Sequence, residues 1–87
     1  MDENFKILIV RERPGENVFI SKYLPSTPTE KDVRDFADNC HFTDDLKPLM
    51  GNFNFNELID DKVFKVSNSE YTYSFYIKRY ENGTWVD

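Results

Sequence analysis

Residues 5–24 read FKILIVRERPGENVFISKYL, two segments of aliphatic, β-branched and aromatic residues separated by a Pro-Gly pair. Residues of these types favour strands, and Pro14-Gly15 fits a tight turn in which the glycine takes a positive φ. Residues 7–10 are apolar at every position and place apolar groups on both faces, which indicates an interior strand of a sheet and not an edge strand. This segment therefore predicts a β-hairpin, Phe5 to Arg13 and Asn17 to Leu24, whose first strand lies inside a sheet.

The last third of the chain returns to the same period of two. If the chain turns at Asn68-Ser69, one face of the next two strands is apolar: Phe64, Val66, Tyr71, Tyr73, Phe75 and Ile77. The opposite face then carries Lys65, Thr72, Ser74, Tyr76, Lys78 and Tyr80. Asn82-Gly83 is typical of a type I′ hairpin turn and predicts a final strand with Trp85 opposite Tyr80.

Between the hairpins the apolar spacing changes to that of a helix. Thr27 fits the N-cap, Pro28 the first helical position and Glu30 the capping box, and the buried stripe reads Val33, Phe36, Ala37 and Cys40. One or two short helical turns are expected further on, near Thr43 to Asp45 and after Asn54, with Pro48 and Gly51 as limits and Phe55, Leu58 and Ile59 buried.

Together these patterns predict one α+β domain over residues 1–87, with the element order ββα(α)βββ. An antiparallel sheet from the N-terminal and C-terminal hairpins packs against the central helix and the short helical turns. Sheet order is left open, because short-range patterns do not determine which strands pair over long distances.

The chain is acidic, with 16 acidic and 11 basic residues and a formal net charge of −5. Nine of the acidic residues lie within residues 26–61, against three basic ones. Such a charge argues against duplex nucleic acid as a direct partner, since phosphate binding normally requires a basic surface. The apolar run at residues 7–10 is too short for a signal peptide or a membrane span, so we expect a cytoplasmic protein without membrane association.

No residue pattern indicates catalysis. Cys40 and His41 are neighbours, and consecutive side chains on a helix point about 100° apart, which disfavours a hydrogen-bonded nucleophile pair. The acidic pairs Asp44-Asp45 and Asp60-Asp61 are more typical of solvated caps and turns. We therefore expect a non-enzymatic protein.

The same central residues include candidates for a structural zinc site. Cys40, His41 and Asp44 are of ligand type, and a small core benefits from a metal, although no CxxC or HxxxH spacing is present. The alternative is an ordinary helix C-terminus at which His41 faces the dipole. No other cofactor is expected.

Two surfaces are candidates for binding. The first is acidic: Asp32, Asp35, Asp38, Asp44, Asp45, Asp60 and Asp61. Its alternative interpretation is ordinary solubilising charge. The second is the aromatic stripe of Tyr76, Tyr80 and Trp85 with Lys78, residue types that dominate interfaces. Its alternative interpretation is a face covered by the helices or by a dimer partner.

In size, charge and composition the chain resembles the small acidic inhibitors encoded by phages and mobile elements, such as anti-CRISPR proteins. No motif transfers site residues from that group. The resemblance implies a protein partner with a basic nucleic-acid-binding groove, such as a Cas effector, in the host cytoplasm.

Two alternatives remain. One is a single-stranded nucleic-acid binder that stacks bases on the aromatic stripe, with Lys65, Lys78 and Arg79 at the phosphates. The other is a zinc-stabilised regulatory protein.

Overall fold

The computed structural model describes residues 4–86, in which strands flank a block of helices. Two strands open the chain, β1 (Phe5–Arg13) and β2 (Glu16–Leu24), and three close it, β3 (Phe64–Ser67), β4 (Thr72–Glu81) and β5 (Thr84–Val86). Between them lie α1 (Glu30–Asn39), α2 (Thr43–Leu49), a 3-10 helix (Met50–Asn52) and α3 (Phe55–Asp61). The predicted α+β fold with an antiparallel sheet is confirmed.

Strand β1 lies at the centre of the sheet, between β2 and β4. Its Ile7 pairs with Ile77 of β4, and Ile7 and Ile9 are fully buried. β3 and β5 both pair with the other edge of β4, β3 along residues 72–75 and β5 along residues 79–81. The interior position predicted for β1 from its apolar run is therefore confirmed.

The helices pack on one face of the sheet, here called the inner face. One cluster of buried residues joins that face, with Ile7, Ile9, Tyr73 and Phe75, to the helical block, which contributes Val33, Ala37, Leu46, Met50 and Leu58. Fully burying a large apolar side chain contributes roughly 1.5–3 kcal/mol. The hydrophobic effect thus fixes the helices on the inner face.

Helix α1 begins later than the sequence predicts, because Thr29 and not Thr27 is its N-cap. The Thr29 hydroxyl accepts a hydrogen bond from the Asp32 N–H (3.2 Å), and the Asp32 carboxylate accepts one from the Thr29 N–H (2.8 Å). Pro28 precedes the cap and is buried, as is Val33 four positions into the helix. These are the N′ and N4 positions of the Thr29 cap, the two positions that are apolar in a hydrophobic staple.

The buried stripe of α1 is also shorter than predicted. Val33 and Ala37 are buried, whereas Phe36 is half-buried. Cys40 is the C-cap, outside the helix, and is half-buried. Glu30, expected to close the capping box, is instead the first helical residue. Only the middle of the predicted stripe therefore belongs to the fully buried core.

The segment between α1 and β3 contains more helix than predicted. α2 includes Pro48, which falls in its last turn, and Gly51 lies within the 3-10 helix instead of ending the helical segment. Asn54 caps α3 as predicted, its side chain accepting a hydrogen bond from the Glu57 N–H (3.2 Å). Ile59, expected to be buried, is 39% exposed. This side chain instead borders a cleft beside α3.

The predicted register of β3 against β4 is wrong by two residues. Val66 pairs with Tyr73 instead of Tyr71, and Phe64 pairs with Phe75. Asn68 shapes the longer connection by accepting hydrogen bonds from the N–H groups of Glu70 and Tyr71, both at 2.8 Å. Because the error is an even number of residues, every side chain of β4 stays on the face predicted for it.

Candidate functional site

The face of the sheet opposite the helices, here called the outer face, carries aromatic and lysine side chains. Asn82 and Gly83 have φ values of 53° and 83°, as a type I′ turn requires, and they bring Trp85 opposite Tyr80. Alternation along the paired strands gives this face Lys6, Leu8, Val10, Phe19, Tyr23, Lys65, Tyr76, Lys78, Tyr80 and Trp85. The helices pack on the inner face and leave the aromatic stripe uncovered.

One end of the outer face holds an aromatic cluster around Lys6. The Lys6 ammonium lies 4.5 Å from the centroid of the Trp85 ring and 5.8 Å from that of Tyr23. The Trp85 ring lies 5.7 Å from the Tyr23 ring and 5.2 Å from the Tyr80 ring. These contacts join β5 to β2 across the sheet. Sequence reasoning missed Lys6 and Tyr23, because only the long-range pairing of β1 with β4 brings them to Trp85.

The remainder of the outer face is positively charged and partly apolar. The Lys78 ammonium lies 5.1 Å from the centroid of the Tyr76 ring, and Lys65 projects from β3 on the same side. Glu12, at one end of the face, is the acidic residue among the paired positions. Phe19, which the sequence did not single out, is 62% exposed. This face therefore offers rings and cations to a ligand.

Four of the seven aspartates predicted as an acidic surface have local structural partners. Asp32 closes the capping box of α1, and Asp44 and Asp45 lie in the first turn of α2, where the helix dipole favours negative charge. The Asp35 carboxylate lies 2.6 Å from the Lys31 ammonium, whose pKa it raises through the hydrogen bond and the charge. These four carboxylates are accounted for by helix stability.

The other three, Asp38, Asp60 and Asp61, lie in the last turns of α1 and α3 and are exposed. Neither of these turns contains a basic residue. A negative charge beside a helix C-terminus is unfavourable by roughly 0.3–1 kcal/mol. Within residues 4–86 no lysine or arginine forms an ion pair with any of the three. We call these three residues the C-terminal aspartates.

Asp45 is part of the packing between the helices and the sheet. The Tyr73 hydroxyl donates a hydrogen bond to its carboxylate at 2.6 Å. Burial, and then this hydrogen bond, raises the pKa of Tyr73 far above its ordinary value. On the neighbouring strand the Arg11 guanidinium carbon lies 4.5 Å from the centroid of the Tyr71 ring and 4.9 Å from that of Phe42. Because the Asp45 carboxylate is engaged in this junction, it contributes little to a free acidic surface.

The residues considered for zinc do not converge. The Cys40 thiol donates to the Ala37 carbonyl (3.5 Å) and accepts from the Phe42 N–H (3.4 Å), and burial raises its pKa. His41 is exposed, with its ring edge-on to Phe42. In the part of the chain that the structure describes, no three His, Cys, Asp or Glu side chains, Asp44 included, come together as a metal-binding group.

Comparison of the chain with family models, curated proteins and solved structures found no match. Among residues 4–86, none of the helices has the length and apolar character needed to cross a membrane. The C-terminal aspartates and the outer face are the two candidate binding surfaces of the chain.

Proposed function

We propose that the chain is a non-enzymatic, inhibitor-type binding protein that presents its helical layer to a basic nucleic-acid-binding groove of a protein partner. The placement of Asp38, Asp60 and Asp61 carries this proposal. Each lowers helix stability where it lies, and no cation of the described chain neutralises it. Carboxylates placed in this way are available to the lysines and arginines of a partner.

The distribution of charge over the two layers supports the same function. Residues 26–61 hold nine acidic and three basic residues, and all their helices lie on one side of the sheet. The outer face, on the other side, carries lysines. A charge separated in this way orients the molecule as it approaches a basic groove and speeds the encounter. An RNA-guided Cas effector in an infected cell is the partner class to test first.

The test compares two double variants with the same charge change. Asp60→Lys/Asp61→Lys alters the helical layer, and Glu70→Lys/Glu81→Lys alters exposed positions of the sheet and its connections. We expect the wild type to block target-DNA binding by the effector in a mobility-shift assay. The first variant should lose at least about tenfold in affinity for the effector, because it removes carboxylates that pair closely with cations of the groove. The second variant should lose less than about threefold, because its substitutions lie outside the proposed surface.

Equal losses in both variants would reduce the effect to net charge and contradict the proposed surface. Circular dichroism melting of each variant separates a binding defect from unfolding. A panel of effectors that the wild type neither binds nor inhibits would remove this partner class.

The outer face favours a second candidate, a single-stranded nucleic-acid binder, because it places rings and lysines together without a covering helix. The control lanes of the same assay, which hold the protein and a single-stranded oligonucleotide alone, distinguish the two functions. Retardation that weakens as salt rises would favour this candidate over the inhibitor.

A further inference from the structure

A cleft of about 280 Å³ opens on the inner side of the molecule, between the C-terminal end of α3 and the end of the sheet. Leu58 of α3, which is buried, and Phe5 and Ile77 of the paired strands β1 and β4, which are half-buried, supply apolar surface. Ile59 borders the same space and is 39% exposed. Part of the cleft lining is thus apolar surface that the helical layer does not cover.

Lys62 lines the cleft in a backbone conformation that its side chain disfavours. It is the C-cap of α3 with a φ of 68°, in the left-handed region where glycine is the preferred residue. Within residues 4–86 its ammonium forms no ion pair. A residue held in an unfavourable backbone conformation beside a cleft is a candidate functional position.

Arg79, on β4, supplies a second cation to the lining. Its Nε lies 3.3 Å from a Glu81 carboxylate oxygen, and both side chains are about half exposed, so this pair is weak and open to competition. Asp60 and Asp61 precede Lys62 in the chain but do not line the cleft. Among residues 4–86, the lining of this cleft combines apolar side chains with two cations and has no acidic residue. Such a cleft is complementary to an anion that carries an apolar tail.

We propose that this cleft binds a small apolar carboxylate. Its hydrocarbon chain contacts Leu58, Ile59 and Ile77, and its carboxylate lies between Lys62 and Arg79. The volume falls just below the range of roughly 300–1,000 Å³ typical of drug-sized ligands, which limits the ligand to a medium-length chain. The C-terminal aspartates do not line this cleft, and the ligand proposed here does not depend on the function proposed above.

Titration of the uniformly ¹⁵N-labelled protein with octanoate tests the proposal by amide chemical shifts. We expect saturable shifts at residues 58–62 and 77–79, with a Kd of roughly 1 mM for a ligand of this size. Octanol, which has the tail without the charge, and acetate, which has the charge without the tail, should each bind at least about fivefold more weakly. Absence of saturable shifts with octanoate, or equal shifts with octanol, would overturn the proposal.

Lys62→Gly is the decisive variant, because it removes the ammonium and also relieves the backbone strain. Its Tm should equal or exceed that of the wild type, while its Kd for octanoate rises by about three- to tenfold. Lys62→Arg should retain binding, and Lys65→Gln, which removes a lysine from the outer face, should leave it unchanged. Arg79→Gln, which removes the second cation, should also raise the Kd for octanoate. Wild-type affinity in both Lys62→Gly and Arg79→Gln would refute the assignment of these two cations.

Discussion

Tyr73 shows how a single buried hydroxyl fixes the contact between two layers. Its side chain is fully buried, and its one polar atom donates to Asp45 on α2. Tyr73→Phe retains the ring and leaves the Asp45 carboxylate without that donor. A hydrogen bond to a charged group contributes about 1.5–3 kcal/mol, so we expect a loss of that order in urea denaturation. A neutral substitution would mean that water replaces the hydroxyl at no cost.

The same hydroxyl sets a dependence on alkaline pH. Burial and the Asp45 hydrogen bond raise the pKa of Tyr73 in the folded chain, whereas in the unfolded chain it ionises near pH 10. The stabilisation is therefore fully present below about pH 10 and is lost as the pH rises above it. Relative to Tyr73→Phe, the wild type should lose up to about 1.4 kcal/mol per pH unit in this range. Denaturation midpoints measured between pH 8 and pH 11 check the sign.

Helix α1 illustrates a choice that local sequence leaves open. Two threonines precede it, and each has an acidic residue three positions later, Glu30 for Thr27 and Asp32 for Thr29. The structure places the reciprocal hydrogen bonds at Thr29. Thr29→Ala should therefore cost about 1 kcal/mol in unfolding free energy, whereas Thr27→Ala should change it by less than about 0.5 kcal/mol. The reverse ranking would restore Thr27 as the cap.

The features of the helices and strands that could be predicted depend on interactions between residues close in sequence. Both hairpin turns follow from Pro14-Gly15 and Asn82-Gly83, and Asn54 identifies the start of α3. The alternation along β4 assigns its two faces even though the β3 register was displaced. These features need only neighbouring residues, so one sequence is enough to predict them.

What could not be predicted depends on contacts between distant segments. Pro28, directly before the cap of α1, is buried in the structure, and Ile59 is exposed, and neither can be read from the neighbouring residues. Of the candidate surfaces, Tyr76, Tyr80 and Trp85 could be grouped from alternation alone. Lys6 reaches Trp85 only because β1 lies beside β4, and no local pattern reports that pairing.

At the scale of the whole molecule, part of the negative surface charge lies at positions where it lowers the stability of a helix. Asp60 and Asp61 oppose the dipole of α3 and add to the negative charge of the helical layer. Asp60→Asn/Asp61→Asn should raise unfolding free energy by about 0.6–2 kcal/mol at 10 mM NaCl. The gain should shrink at 300 mM NaCl, because the Debye length falls from roughly 30 Å at 10 mM to less than about 8 Å at 300 mM.

Glu70→Gln is the control for this prediction. Glu70 is exposed in the connection before β4 and lies at no helix end, so its neutralisation should change stability by less than about 0.5 kcal/mol at either salt concentration. A stability gain for the Asp60 and Asp61 variant that persists at high salt would point to helix propensity instead of charge.

The pairing of β1 with β4 also has a consequence for the order in which the chain folds. Each hairpin turn is local and closes within microseconds, but the pairing of residues 5–12 with residues 72–79 requires closure of most of the chain. Until then β1, with its apolar run Ile7 to Val10, has one unpaired edge, and a strand of another copy can pair with that edge. A chain cut short before β4 retains that edge permanently, and aggregation is its expected fate.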